Sequence, residues 1–180
     1  SEAVNKVMAG PAKKSRLITE SDKRITAYHE SGHAIVAKLM KHCDDVHEVS
    51  IIPRGMAAGY TITLPENDDN HMTKGKLLDD IAMMLGGRAA EEIVIQDIST
   101  GASNDIQRAT QLARKMVTEW GMSDSIGNMY LGSSEEVFLG RDYQSHLNYS
   151  EEVAAKIDEE VKTIIDTQYQ VALNILKSNR

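Results

Sequence analysis

Apolar residues recur at helical spacing in several long stretches of the chain. In the clearest stretch, from Ile106 to Trp120, apolar side chains return every three or four residues, and Gly121 follows as a stop signal. Residues 74–95 show the same spacing, and so does the stretch that Ser150 opens near the end of the chain. The pattern therefore predicts a helix in each of these three stretches.

A further helix is predicted near the beginning of the chain. The segment "ITESDKRI" carries Thr19 and Ser21 as alternative N-caps, with Asp22 in the first turn. This helix should run to about Lys41.

Two short β-rich runs follow the first helix and are joined by a glycine-containing turn. Pro53 and Pro65 end these runs, whose apolar members are Val46, Val49, Ile51 and Ile52, then Tyr60, Ile62 and Leu64. Residues 122–147 are rich in turn signals. The expected fold class is mainly α, an α+β domain with a small β element.

Glycines interrupt two of the predicted helices. Gly86 and Gly87 lie inside the helix over 74–95, and Gly32 lies inside the first helix. A helical glycine costs about 1 kcal/mol relative to alanine. The presence of glycine at these positions is better explained by the close approach of another backbone than by a contribution to helix stability.

The composition fits one sizeable globular domain. The chain has 180 residues, of which 41% are hydrophobic, so a real core can form. Its 20 basic and 27 acidic residues give a net charge of −7 without a basic stripe, which argues against nucleic acid as a partner. Cys43 is the only cysteine, which excludes a disulfide framework and favours a reducing compartment. No apolar stretch approaches the length of about 18 residues that a membrane span needs.

One stretch carries recognisable chemistry. Residues 27–39, "AYHESGHAIVAKL", hold His29, Glu30 and His33 within an apolar run. Residues four apart lie on one face of a helix, so both imidazoles can reach one metal ion. Zinc accepts such nitrogen ligands at about 2.0–2.1 Å. Glu30 is offset by one position and can act as the catalytic base that takes a proton from the attacking water.

An alternative interpretation is that the two histidines are ordinary surface residues of a helix and that Glu30 is a solvated charge. That interpretation leaves two polar rings among Tyr28, Ala34 and Ile35 without a reason. The helical, apolar context favours the zinc site.

The third ligand of a catalytic zinc is not evident from spacing. Val36 and Leu39 stand where the metzincin pattern requires glycine and histidine, which excludes that class. The remaining histidines are interpreted as solvated: His42, His47, His71 and His146. Three carboxylates stay open as candidates: Glu91, Glu92 and Asp105.

Several motifs in order make the chain resemble the peptidase domain of the FtsH family, which comprises membrane-anchored, ATP-dependent AAA zinc metalloproteases. The motifs are "TAYHESGHAIVA", "VSIIPRG", "LGGRAAEEI", "STGASNDIQRAT", "VTEWGMS", "EVFLGRD" and "IDEEV". The resemblance implies Zn²⁺ held by His29, His33 and Asp105, with Glu30 as general base. It also places Glu91 and Glu92 near the site, where one of them would orient a histidine ring. Ser31 stands where the family usually has alanine, at a position that is neither ligand nor base.

The resemblance further implies a domain organisation. Residues 1–18 match the end of the ATPase lid helix and a linker, and residues 19–180 match the zinc peptidase domain, shortened at its C-terminus. The sequence has no G-x-x-x-x-G-K-[ST] motif, so ATP would act only through an ATPase module of the same full-length polypeptide. The full-length protein is expected to be a membrane-anchored homo-hexamer with this domain in the bacterial cytoplasm or an organellar equivalent. The chain itself is expected to be soluble.

The function expected from these features is that of a zinc metalloendopeptidase in protein quality control, hydrolysing peptide bonds in unfolded or membrane-extracted proteins. The substrate is expected to pair as an extra strand along an edge formed by Gly59, Tyr60, Thr61 and Ile62. The alternative is a catalytically inactive, ring-forming assembly module of the same family.

Overall fold

The computed structural model describes residues 18–54, 57–65, 71–132 and 149–179. Within these ranges the chain is mainly helical with one small sheet, which confirms the expected fold class. The elements in order are α1 (Glu20–Leu39), β1 (Asp45–Ser50), β2 (Tyr60–Leu64), α2 (Lys74–Ile95), a 3₁₀ turn (Thr100–Ala102), α3 (Ser103–Thr118) and α4 (Glu151–Ser178). The expected lid helix and linker up to residue 17, the "EVFLGRD" motif and His146 lie outside the described residues.

Hydroxyl side chains cap the long helices as their sequences indicate. Thr19 caps α1 by accepting a hydrogen bond from the backbone N–H of Asp22 at 3.1 Å, which decides between the two predicted caps. Ser150 caps α4 in the same way through the N–H of Val153. The first helix ends at Leu39 instead of near Lys41, because Met40 already adopts an extended backbone that leads toward β1.

The predicted helix over 106–120 begins earlier and ends earlier than expected. A 3₁₀ turn runs directly into α3, which therefore starts at Ser103. The helix ends at Thr118, and Gly121 then turns the chain at a positive φ of 61°. The N–H of Met122 donates back to the carbonyl of Met116 at 2.9 Å, which closes the helix end.

The two strands form an antiparallel pair. The register places Val46 opposite Thr63 and Val49 opposite Thr61. A β-bulge at His47 lies between these two pairs. The first strand ends at Ser50, so the prediction that it extends to Ile52 is wrong. Ile52 is exposed, so keeping it in the ladder would bury little of its side chain.

Helix α2 is the centre of the core. One of its faces packs with α3 and α4 in a cluster that includes Leu77, Ile81, Leu85, Ala109, Met116 and Ile157. Another face packs with α1 and α4 in a cluster that includes Val36, Ala82, Ala89, Ala172 and Leu173. Burial of a side chain such as Met116 or Ile157 stabilises the fold by about 1.5–3 kcal/mol.

The glycines of α1 and α2 meet where these helices cross. A Cβ atom at Gly32 would lie 2.3 Å from the carbonyl oxygen of Gly86, and one at Gly86 would lie 2.7 Å from the carbonyl oxygen of Gly32. The predicted close backbone approach is therefore confirmed for Gly32 and Gly86, whereas Gly87 faces the ring of His29. This approach draws the histidine face of α1 against α2.

None of the helices in the described ranges combines the length and the apolar character that crossing a membrane requires.

Candidate metal centre

The two histidines of α1 point their rings toward the same spot. Both residues are buried, at 8% exposure for His29 and 6% for His33. Their Nε2 atoms lie 3.0 Å apart and the ring planes are nearly perpendicular. Gly87 makes room for this arrangement, because a Cβ there would lie 2.5 Å from Cε1 of His29.

Asp105 completes the cluster from the first turn of α3. Its Oδ2 atom lies 3.2 Å from Nε2 of His29 and 3.4 Å from Nε2 of His33. In the described part of the chain, these three residues form the one group of candidate ligands whose ligand atoms all lie within 4.8 Å of one another.

The other ring nitrogen of each histidine, Nδ1, makes a hydrogen bond with an acceptor. Nδ1 of His29 lies 2.7 Å from Oε1 of Glu91, and Nδ1 of His33 lies 2.7 Å from the carbonyl oxygen of Met83. An ionised carboxylate and a carbonyl only accept, so each Nδ1 carries the proton. In this tautomer a neutral ring presents an unprotonated Nε2 to the other ring.

This tautomer assignment tests the fit of a metal. Two bare Nε2 atoms at 3.0 Å repel each other unless a proton or another cation lies between them. Two imidazole nitrogens and one carboxylate oxygen, with the rings fixed by acceptors behind them, are the ligand set and the support that zinc uses in catalytic sites. The residues present therefore fit a zinc ion.

The electrostatics of the cluster also favour a cation. Burial by itself lowers the pKa of His29, but the hydrogen bonds with Asp105 and Glu91 outweigh this effect and the pKa of His29 is raised. Burial by itself raises the pKa of Asp105, but its hydrogen bonds with His29 and His33 hold the pKa of that carboxyl well below its ordinary range. A deprotonated carboxylate thus faces the two rings.

The structure separates the adjacent carboxylates of α2. Glu91 is 1% exposed and bridges two elements, since Oε1 meets His29 and Oε2 accepts a hydrogen bond from the backbone N–H of Ser99 at 2.7 Å. Glu92 is exposed and accepts a hydrogen bond from the hydroxyl of Tyr169 on α4. Of this pair, the structure brings Glu91 to the cluster and leaves Glu92 outside it.

Glu30 lies beside the cluster without joining its hydrogen bonds. The residue is 7% exposed, and the Thr61 hydroxyl of β2 lies 2.8 Å from Oε2. Burial raises the pKa of Glu30 above its ordinary value, and the Thr61 hydrogen bond and the two histidines counter this only in part. A buried carboxylate with a raised pKa is suited to proton transfer near neutral pH.

The remaining sequence-predicted residues lie elsewhere. His42, His47 and His71 are exposed, and His42 bonds to Asp79 through Nδ1 at 2.9 Å. The expected substrate edge consists of Gly59 and the first residues of β2. The described sheet has two strands, so β1 pairs with one side of β2 and the other side is an edge of that sheet.

Sequence reasoning missed two contacts of this site. The Met83 carbonyl that holds His33 is a backbone group, for which no side-chain signal exists. The contact between Thr61 and Glu30 joins residues that are 31 positions apart in the chain.

The chain is similar in sequence to known proteins. A sequence model of the family described as peptidase family M41 matches residues 16–180 of this chain. The protein named "ATP-dependent zinc metalloprotease FtsH 1" of Thermoanaerobacter sp. (strain X514) is 58% identical over 179 residues, which cover 99% of this chain and 29% of that relative.

Two further relatives carry related names. "ATP-dependent zinc metalloprotease FtsH 2" of Alkaliphilus metalliredigens (strain QYMF) is 54% identical over 179 residues, covering 99% of this chain and 26% of the relative. "ATP-dependent zinc metalloprotease FtsH" of Halothermothrix orenii (strain H 168 / OCM 544 / DSM 9562) is 53% identical over 180 residues, covering 99% of this chain and 29% of the relative. The chain thus spans less than a third of the length of these curated relatives.

Proposed function

Because the chain belongs to peptidase family M41, we propose that it is a zinc-dependent endopeptidase with Glu30 as its general base. The resemblance to the FtsH peptidase domain that the motifs predicted is confirmed. The single observation that carries the proposal is the convergence of His29, His33 and Asp105 around one point, with the buried carboxylate of Glu30 beside them.

Each residue of the cluster has a distinct part in this proposal. His29, His33 and Asp105 would hold the ion, while Glu91 and the Met83 carbonyl fix the two rings in the tautomer that exposes Nε2. A zinc ion held there would supply Lewis acidity, which activates a water molecule and polarises the scissile carbonyl group. Glu30 takes a proton from the attacking water while the oxygen of that water bonds to the carbonyl carbon of the substrate. Glu30 then gives that proton to the amine as the C–N bond breaks.

The substrate in this proposal is an extended peptide segment of an unfolded or membrane-extracted protein. It would add a strand along β2, at an edge formed by Gly59, Tyr60, Thr61 and Ile62, through main-chain hydrogen bonds that carry little sequence information. The relatives are named as ATP-dependent. We therefore propose that an AAA ATPase module of the full-length, hexameric, membrane-anchored protein delivers the substrate to this site.

Metal analysis and a peptidase assay on the full 180-residue chain test the proposal. We expect about one zinc per chain, and Glu30→Gln should keep the metal while losing activity by about a hundredfold or more. His71→Ala is the matched control, because it removes an exposed histidine outside the cluster. Parental activity in Glu30→Gln would contradict the role of Glu30, and a chain without zinc or activity would favour the inactive assembly module.

A further inference from the structure

Strand β2 touches the helix that carries the cluster at the residue proposed as general base. Oγ1 of Thr61 lies 2.8 Å from Oε2 of Glu30 and 3.1 Å from the backbone carbonyl oxygen of Glu30. Both oxygens accept when the carboxylate is ionised, so the Thr61 hydroxyl is the donor and shares its single hydrogen between them. The hydroxyl thus contacts both the side chain and the backbone of Glu30.

The approach of the strand to the helix depends on Gly59. A Cβ atom at Gly59 would lie 2.6 Å from Cγ2 of Thr26 and 3.0 Å from Cγ of Glu30. Thr26 and Glu30 are one helical turn apart on α1, so the strand crosses the helix face that carries the base. The missing side chain at Gly59 lets Thr61 come within hydrogen-bonding distance two residues later.

Glu30 needs such a restraint. Its side chain has three rotatable bonds, and in the described ranges the side-chain donor that reaches its carboxylate is Thr61. A charge-assisted hydrogen bond from a strand held in a sheet limits the orientations that the carboxylate can adopt. Proton transfer depends on such orientation, because misplacement of a reacting group by about 1 Å can lower the rate about a hundredfold.

We propose that Thr61 is a positioning residue, which holds the Glu30 carboxylate in the orientation that accepts the proton of the attacking water. This inference rests on the proposed function of Glu30. It gives β2 a second role, since the strand expected to bind the substrate also fixes the base.

Steady-state kinetics of the zinc-loaded chain provide the first test. Thr61→Val removes the hydroxyl and keeps the β-branched shape that suits a strand. We expect kcat to fall by up to about a hundredfold, because a carboxylate that is free to reorient is less often in the geometry that accepts the proton. KM should stay near the parental value, because the backbone groups of β2 are unchanged. Thr61→Ser, which restores a hydroxyl at the same position, should recover most of the lost rate.

Thr163→Val is the matched control. It makes the same chemical change at an exposed position of α4, outside both the cluster and the proposed substrate edge. We expect its kcat to remain close to that of the parent, and we expect all variants to retain their zinc.

A double-mutant cycle in the metal-free chain provides a test that does not depend on activity. Denaturant unfolding is compared for the parent, Thr61→Val, Glu30→Ala and the double variant. We expect the shifts in unfolding midpoint to be non-additive, because each single change removes the same side-chain contact. If Thr61 acts only through the backbone carbonyl of Glu30, the contact survives in Glu30→Ala and the shifts add.

The outcomes separate this inference from the proposed function. A parent that cleaves no peptide overturns the proposed function and the role of Thr61 with it. If the parent is active, then Thr61→Val with a parental kcat, a loss confined to KM, or additive midpoints in the cycle each overturn the positioning role alone. A fall in kcat with serine rescue and non-additive midpoints supports it.

Discussion

Two carboxylates touch His29, and they meet different nitrogens of its ring. Asp105 lies at Nε2, inside the cluster, and Glu91 lies at Nδ1, behind the ring. A group at Nε2 can share a metal with the ring, whereas a group at Nδ1 can only orient it. The two acids should therefore respond differently to substitution.

We expect Asp105→Ala to abolish stoichiometric zinc binding, because a direct ligand is lost. Glu91→Gln should lower zinc affinity by about 10–100-fold, the range typical for a residue that orients a ligand. Glu92→Gln serves as the control next in sequence and should bind zinc like the parent, since Glu92 meets Tyr169 instead. Zinc titration monitored by competition with a chelating dye measures all three. If Glu91→Gln bound no zinc while Asp105→Ala bound one zinc per chain, the roles of direct ligand and orienting residue would be reversed.

Cys43 offers a prediction away from the cluster. Burial raises the pKa of its thiol to about 12, and Sγ donates to the carbonyl of Asp79 at 3.5 Å. Because the thiolate is the reactive form and an ordinary cysteine has a pKa of about 8.5, we expect very slow alkylation of the folded chain at about pH 8. Iodoacetamide labelling followed by mass spectrometry, with the denatured chain as control, measures this. Equally fast labelling of folded and denatured chain would contradict it.

At the scale of elements, the crossing of α1 and α2 decides whether the histidines reach their partners. Gly32 and Gly86 allow backbone contact there, and Gly87 accommodates the ring of His29. A wider separation of the helices would withdraw His29 from Glu91 and His33 from the Met83 carbonyl.

We expect Gly32→Ala to destabilise the chain, because its Cβ would lie 2.3 Å from a backbone oxygen that cannot rotate away. Overpacking typically costs about 1–3 kcal/mol, and a clash with backbone should lie at the upper end, so a net loss of about 2 kcal/mol is expected after the better helix propensity of alanine offsets about 1 kcal/mol. Ser31→Ala, at the exposed neighbouring position, is the control and should be neutral or slightly stabilising. Urea midpoints compare the variants, and a Gly32→Ala chain as stable as the parent would refute the tight crossing.

For the whole molecule, the cluster joins elements that are distant in sequence. Its candidate metal ligands come from α1 and α3, and α2 holds both rings from behind. A metal that binds only the folded arrangement stabilises all of these helices together.

Removal of zinc should therefore lower the thermal midpoint of the whole chain. A ligand present at about 100 times its Kd stabilises the folded state by about 2.7 kcal/mol. His33→Ala should lose this response to zinc, while His71→Ala should keep it. Calorimetry with and without a chelator measures the difference, and an unchanged parental midpoint would exclude a coupled metal site.

The proposed strand addition also sets what the 180-residue chain can cleave. A folded substrate hides its backbone, so we expect slow cleavage of permanently unfolded chains and survival of stably folded ones, apart from spontaneous opening. ATP should have no effect, because the sequence has no P-loop motif. Gel assays of a folded protein and its unfolded variant, each with and without ATP, measure this. ATP-stimulated loss of the folded form would contradict it.

The features that the sequence determined by itself are local ones. Helical periodicity predicted α2, α3 and α4 because neighbours three and four residues apart share a face in any helix. The same geometry predicted that His29 and His33 would face one point. The wrong predictions concern the ends of elements, such as the end of the first strand at Ser50. Whether a strand continues there depends on whether the next residues are buried.

Only the tertiary structure decided which distant groups meet the histidines. Spacing left Glu91, Glu92 and Asp105 open, and the family resemblance implied Asp105 without giving the contacts. The packing of α2 and α3 around α1 places Asp105 at Nε2 and Glu91 at Nδ1, and turns Glu92 toward α4. The contact of Thr61 with Glu30 arises in the same way. No local pattern encodes these contacts, because each depends on how separate elements pack, and close backbone approaches such as Gly32 to Gly86 set that packing.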